Sequence, residues 1–168
     1  MNKIMTELIP MLGEQDEFKL IHSAGSYYYK GMCEELKAKV NDLSACGVDL
    51  REYIYDMPRV MAAADLIMCR AGASTLAELS FMAKPVIIVP SPNVTNNHQE
   101  NNARVLEAAG GAVVLLEKEV TPEKMYAQVM ELLGDDSRRA EMSKALKGLV
   151  RTDSADAICD IVEELMAK

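Results

Sequence analysis

The sequence predicts an α/β fold, a parallel sheet with helices on both faces. Short apolar, strand-like runs alternate with amphipathic helical stretches through most of the chain. The connections between them are short, as expected where successive parallel strands are joined by crossover helices. No internal repeat, low-complexity tract or linker divides the 168 residues, which suit one compact domain.

Residues 1–12 read as a helix with Ile4, Leu8 and Met11 on one face. Phe18 to His22 is a short strand running into the turn Ser23-Ala24-Gly25-Ser26, and residues 27–40 return to a helical pattern. Val48 to Ile54 is a second strand broken by charges. Met57 to Ala63 is a short helix with Pro58 in its first turn, where a missing N–H costs nothing. Leu66 to Cys69 is a strand; the Gly72 turn and a helix from about Ser74 to Ala83 follow. After Lys84-Pro85, Val86 to Val89 is a strand-sized apolar run. A polar loop, Pro90 to Asn97, opens a helix reaching Ala109. Gly110-Gly111 ends that helix and Ala112 to Leu116 is the last strand. Thr121-Pro122-Glu123 starts a helix with a cap, a proline and an acid. Asp135 or Asp136 starts another. Asp153 or Ser154 caps the last, about 153–167, whose stripe is Ala155, Ile158, Val162 and Leu165.

Composition narrows the function. Hydrophobic residues make up 49% and charged residues 26%, as in soluble globular domains. With 18 Lys+Arg against 26 Asp+Glu, the net charge is −8, which disfavours nucleic acid as a partner. No apolar run approaches the roughly 18 residues that span a bilayer. Cys33, Cys46, Cys69 and Cys159 form no CxxC pair and read as reduced thiols. Two histidines and no useful cysteine spacing argue against zinc, and no Asp-x-Asp is present to hold a metal on a diphosphate. No Walker loop, GxGxxG or GxSxG elbow occurs, nor a convincing general base pair.

Ligands of such sheets bind at the carboxyl ends of the strands, which picks out four loops. In Arg70-Ala71-Gly72-Ala73-Ser74-Thr75-Leu76-Ala77-Glu78, small residues separate a strand from a helix start. The first helical amides have no internal partner, so a phosphate or diphosphate could sit there. Thr75-x-x-Glu78 also has the spacing of a capping box, and both readings stand. Asn93 to Asn102 is dense in amides around His98 and Gln99 and suits a hydroxyl-rich ligand such as a sugar; a solvated loop with Asn caps is the alternative. His22-Ser23-Ala24-Gly25 reads as a turn with a satisfied histidine, beside Tyr27-Tyr28-Tyr29. Tyr53 to Pro58, a strand end entering the core, could also hold a flat base.

Together these loops resemble the carboxy-terminal half of the bacterial peptidoglycan N-acetylglucosaminyltransferases. The matching residues are Arg70-x-Gly72-Ala73-x-Thr75-x-x-Glu78, Pro85, Pro90, His98-Gln99-x-x-Asn102-Ala103 and Ala109-Gly110, with Asp65 before them. The first motif suits any two-domain nucleotide-sugar transferase of GT-B type; the His98 to Ala103 segment is the more specific.

The resemblance implies a Rossmann-like donor domain, residues 1–168, whose substrate is UDP-N-acetylglucosamine and which needs neither cofactor nor metal. Glu78 would accept the ribose hydroxyls, and Ala73, Ser74 and Thr75 would face the diphosphate. His98 and Gln99 would touch the sugar, and Ile54 and Met57 would lie at the uracil. Arg70, Gly72, Asn102 and His22 would support them. The family transfers N-acetylglucosamine, with inversion, to lipid I, giving lipid II on the cytoplasmic side of the plasma membrane. The general base and the lipid-facing half, a separate amino-terminal domain or subunit, are expected outside this chain. So are the first strand and the Gly-Gly-Ser phosphate loop. Ala83 stands where glycine is common. The expectation is a soluble donor-binding half, inactive alone, whose last helix packs on the other half or on its own sheet. A split transferase with a membrane partner, or a non-catalytic relic of the fold, are the alternatives.

Overall fold

The computed structural model describes residues 1–13 and 19–167. Phe18, expected to open the first strand, lies outside them. Helix α1 (Asn2–Gly13) leads to β1 (Leu20–Ser23), α2 (Ser26–Lys37), β2 (Val48–Arg51), α3 (Met57–Ala63) and β3 (Ile67–Cys69). Then come α4 (Ala73–Met82), β4 (Val86–Ile88), α5 (His98–Ala108), β5 (Ala112–Val114), α6 (Pro122–Leu133), α7 (Asp136–Lys147) and α8 (Ser154–Met166).

All strand pairs are parallel. β1 pairs with β2 from Leu20 opposite Val48 to Ser23 opposite Arg51. β4 lies between β3 and β5, with Ile87 opposite Met68 on one side and Val113 on the other. The two sets are separate ladders, so β1 and β3 each keep one edge without strand pairing among the described residues.

The pleat of β4 shows why its whole run is apolar. Ile87 and Val89 enter one core with Met5, Leu8, Ile9 and Leu12 of α1 and Met125, Val129 and Leu132 of α6. Val86 and Ile88 point the other way, to Leu76 and Leu79 of α4, Ala103 and Leu106 of α5 and Leu146 of α7. Successive side chains of a strand face opposite sides, so a strand covered twice has no polar position.

Two helix starts form as expected. Thr121 Oγ1 accepts from Lys124 N at 3.3 Å, and Asp135 Oδ1 accepts from Arg138 N at 2.9 Å. Asp153 precedes α8 without a capping bond from its side chain. The second strand is shorter than expected. Ala24 N and Gly25 N donate to the carbonyls of Arg51 and Glu52, and the chain then turns, leaving Ile54 in a loop. Ile54 is apolar because it is buried there, not because it belongs to a strand.

The four cysteines are free; burial pushes the Cys69 thiol up to about 12, whereas Cys159 is exposed on α8. Helix α8 buries nothing: Ile158, Val162 and Leu165 are all exposed, so its stripe does not pack on this chain's own sheet. No helix of the described residues is long and apolar enough to cross a membrane.

Candidate functional site

The loops after β3 and β4 lie at the carboxyl end of the parallel ladder they share, and those after β1 and β2 at the carboxyl end of theirs. The turn from β3 into α4 is the most constrained. Helix α4 begins at Ala73 with Gly72 as its cap, and no side chain caps it. This overturns the capping-box reading of Thr75 and Glu78. Thr75 is already inside the first turn, and Leu76 N bonds to Gly72 O. The amides of Ala73, Ser74 and Thr75 therefore have neither a helical nor a side-chain partner among the described residues. They stand at the positive end of the helix dipole.

Glu78 lies one turn further, on the face shared with Ser74 and Thr75. It is exposed, and no hydrogen bond engages its carboxylate among the described residues. Gly72 has φ −65°, open to any residue, and a Cβ there would meet only Thr75 Oγ1 at 3.7 Å. Its value is small size in front of the amides. Ala71, in the same turn, is wholly buried, and its N–H is used by the protein.

That N–H donates to Gln99 Oε1 at 3.2 Å, and Ser91 N donates to the same oxygen at 2.9 Å. Asn102 Nδ2 reaches Ala71 O at 3.4 Å. Gln99 and Asn102 are three apart on α5, hence on one face. Arg70 donates through Nη1 to the carbonyls of Val89 and Pro90, at 3.1 and 3.2 Å. It also forms a two-nitrogen pair with Glu117, beyond β5. Arg70 and Gln99 are thus both bonded to the protein's own backbone. No local signal points to Glu117, which is 47 residues from Arg70.

The amide-rich loop is largely exposed to solvent and contains one short turn. A short 3₁₀ turn covers Thr95–Asn97, with Asn96 and Asn97 at φ 53° and 51°. Asparagine tolerates that left-handed region. Asn97 does not cap α5 with its side chain; its Nδ2 donates to Glu100 Oε2 at 2.7 Å. His98 is exposed, with Nδ1 2.9 Å from Thr95 O. A carbonyl only accepts, so Nδ1 carries the proton, and Nε2 has no protein partner among the described residues.

His22 is not the satisfied histidine expected. Its Nε2 is buried with no hydrogen-bond partner among the described residues, and burial, helped by the N-terminal ammonium, pushes its pKa down to about 4. Tyr27 and Tyr28 are exposed, and Tyr29 packs on the core. Ile54 is buried, whereas Met57, the first residue of α3, is exposed. A separate cavity of about 830 Å³ lies between α3, α4, α5 and the root of α8. Met61, Leu76, Phe81 and Leu149 line it, and of the residues expected to contact the donor it holds only Glu78.

The comparisons with known proteins agree with the fold. Residues 1–158 match the glycosyltransferase family 28 C-terminal domain. The chain is 38% identical over 165 residues to the UDP-N-acetylglucosamine--N-acetylmuramyl-(pentapeptide) pyrophosphoryl-undecaprenol N-acetylglucosamine transferase of Acetivibrio thermocellus, covering 98% of this chain and 44% of that one. A transferase of the same name, numbered 1, from Bacillus cereus is 36% identical over 167 residues, 99% of this chain and 45% of its own. The crystal structure of Acinetobacter baumannii MurG superposes with a TM-score of 0.78 at 25% identity, over 96% of this chain and 46% of that one. The chain spans about half the length of the curated relatives it matches. By the domain match and by its identity to these transferases along nearly its whole length, the chain belongs to the glycosyltransferase family 28 C-terminal domain family.

Proposed function

We propose that residues 1–168 form a single donor-binding domain, the UDP-N-acetylglucosamine-binding half of an inverting N-acetylglucosaminyltransferase of peptidoglycan synthesis. The observation that carries this is the start of α4. Three unpartnered amides lie one turn before an exposed, unengaged carboxylate, Glu78. Amides at the positive end of a helix suit a diphosphate, and a carboxylate offers two acceptors to a ribose diol. Ala73, Ser74 and Thr75 take the diphosphate and Glu78 the ribose. The uracil lies by Ile54 and Met57. His98 and Gln99 face the sugar, with Arg70, Gly72, Asn102 and His22 behind them.

In the reaction the acceptor hydroxyl of lipid I attacks the anomeric carbon from the face opposite the diphosphate. The new C–O bond forms as the bond to the diphosphate breaks, UDP leaves, and configuration inverts. The α4 amides meet the charge that grows on the departing diphosphate. The base that takes the acceptor proton, and the lipid contacts, come from an amino-terminal acceptor-binding domain or subunit. That half also holds the enzyme peripherally at the cytoplasmic side of the plasma membrane.

Calorimetric titration with UDP-N-acetylglucosamine, UDP-glucose and UDP tests the proposal. Saturable binding that prefers the N-acetylglucosamine donor, weakened at least about tenfold by Glu78→Ala, is expected, because a hydrogen bond to a charged group contributes about 1.5–3 kcal/mol. No binding up to millimolar donor, or equal affinity in the Glu78→Ala chain, would overturn it.

A further inference from the structure

We propose that Gln99 is a positioning residue for the diphosphate end of the site, as well as a neighbour of the sugar. The proposal rests on the donor-binding function argued above. The carbonyl oxygen of Gln99 receives two backbone N–H groups from different loops, Ala71 before α4 and Ser91 after β4. Both partners are donors, so the side-chain amide has only one orientation that satisfies them. Its NH₂ is turned away from that pair and has no protein partner among the described residues.

Ala71 is wholly buried and immediately precedes Gly72, the cap of α4. Its N–H is held by Gln99, and its carbonyl is approached by Asn102 one turn further along α5. Arg70 fastens the adjacent residue to the carbonyls of Val89 and Pro90. The entry into α4 is therefore held from α5, the helix that presents His98. The direction in which the amides of Ala73, Ser74 and Thr75 point follows the placement of α5. The two ends of the donor site are one mechanical piece, joined through the side chains of Gln99 and Asn102.

A contact that served only the sugar would be silent toward UDP, which has none. The test is the affinity of wild-type and Gln99→Met chains for UDP and for UDP-N-acetylglucosamine, measured well below their unfolding temperatures. Methionine keeps the length and the apolar stem and removes the acceptor. UDP affinity is expected to fall about tenfold in Gln99→Met and a few-fold in Asn102→Ala, by the loss of one or two ordinary hydrogen bonds. Amide hydrogen exchange at Ala71 and Ser91 is expected to accelerate together, while Ile87 and Leu132 keep their rates. A wild-type chain that takes up no UDP overturns the donor function and this proposal with it. A wild type that binds, beside a Gln99→Met chain that binds UDP equally well and loses only the sugar nucleotide, overturns this proposal alone. Unchanged exchange at Ala71 and Ser91 overturns it as well, with or without ligand.

Discussion

Each carboxylate oxygen of Glu117 accepts from a different nitrogen of Arg70, Oε2 from Nη1 at 2.8 Å and Oε1 from Nη2 at 3.0 Å. Arg70 leaves β3, Glu117 follows β5, and the same guanidinium bonds the carbonyls that follow β4. One side chain thus ties together the ends of three parallel strands. The planar fork of arginine fits this duty; the point charge of lysine would not.

The pair has an acid signature. The hydrogen bonds from Arg70 hold the Glu117 carboxyl at about 2, against an ordinary 4.5; burial opposes this and the N-terminal ammonium adds to it. A carboxyl whose folded pKa lies below its unfolded one adds stability above the unfolded value and loses it as pH falls toward the folded value. Glu117→Gln should therefore be less stable than wild type by about 1–2 kcal/mol at pH 7, a modest figure because the pair is partly exposed to solvent. That gap should close between pH 4.5 and pH 2, the window set by the two values. Urea unfolding at several pH values measures it, and a gap that stays constant down to pH 2 would contradict the assignment.

Ala83 ends α4 at φ 52° and ψ 45°, the left-handed region, while Lys84 N reaches back to Leu79 O at 3.1 Å. A Cβ is crowded there and glycine is not. Ala83→Gly is expected to stabilise the chain by about 1 kcal/mol, raising the melting temperature by about 2–4 °C at this size. A lower melting temperature would mean that the strain is relieved in some other way.

Gly110 and Gly111 are glycine for different reasons. Gly110 sits at φ 83° with open space around it. Gly111 needs no special backbone, but a Cβ would come within 2.6 Å of Leu146 Cγ and Cδ2. Leu146 is fully buried and has nowhere to recoil. Gly111→Ala should cost about 1–3 kcal/mol by overpacking. The same change in a Leu146→Ala background should cost far less, and a double-mutant cycle by chemical denaturation reads the difference. Equal costs in both backgrounds would exclude the clash.

The stripe of α8 takes no part in this chain's own core. Ile158 is 62% and Leu165 65% exposed. Lysine at either position should change unfolding stability by less than about 0.5 kcal/mol, as ordinary surface substitutions do. A loss of several kcal/mol would show that α8 packs down in solution.

What was legible in the sequence was local. Pro58 and the apolar spacing fixed α3 to its ends, and Thr121-Pro122 fixed the start of α6. Where a residue's character had two physical causes, the reading slipped. Ile54 looked like strand and is a buried loop residue. Thr75 and Glu78 have capping-box spacing, yet the helix starts three residues earlier than a Thr75 cap would place it, with Gly72 as its cap. The amide of Gln99 looked like sugar chemistry, and its oxygen proves to be occupied by the protein itself. The pairing of Arg70 with Glu117 depends on strand order, which no spacing along the chain displays.

The turn that opens α4 contains one cation, Arg70, and that cation is committed to Glu117 and to backbone carbonyls. A diphosphate seated there meets neutral amides and a dipole rather than free lysines or arginines. A site built from cations loses affinity steeply as counterions compete for its ligand. Here few counterions wait to be released, and the chain's surplus of 26 acidic over 18 basic residues repels the anion until salt screens it. Occupancy of this turn should hold level, or rise slightly, across an ionic-strength range that would empty a lysine-built phosphate site.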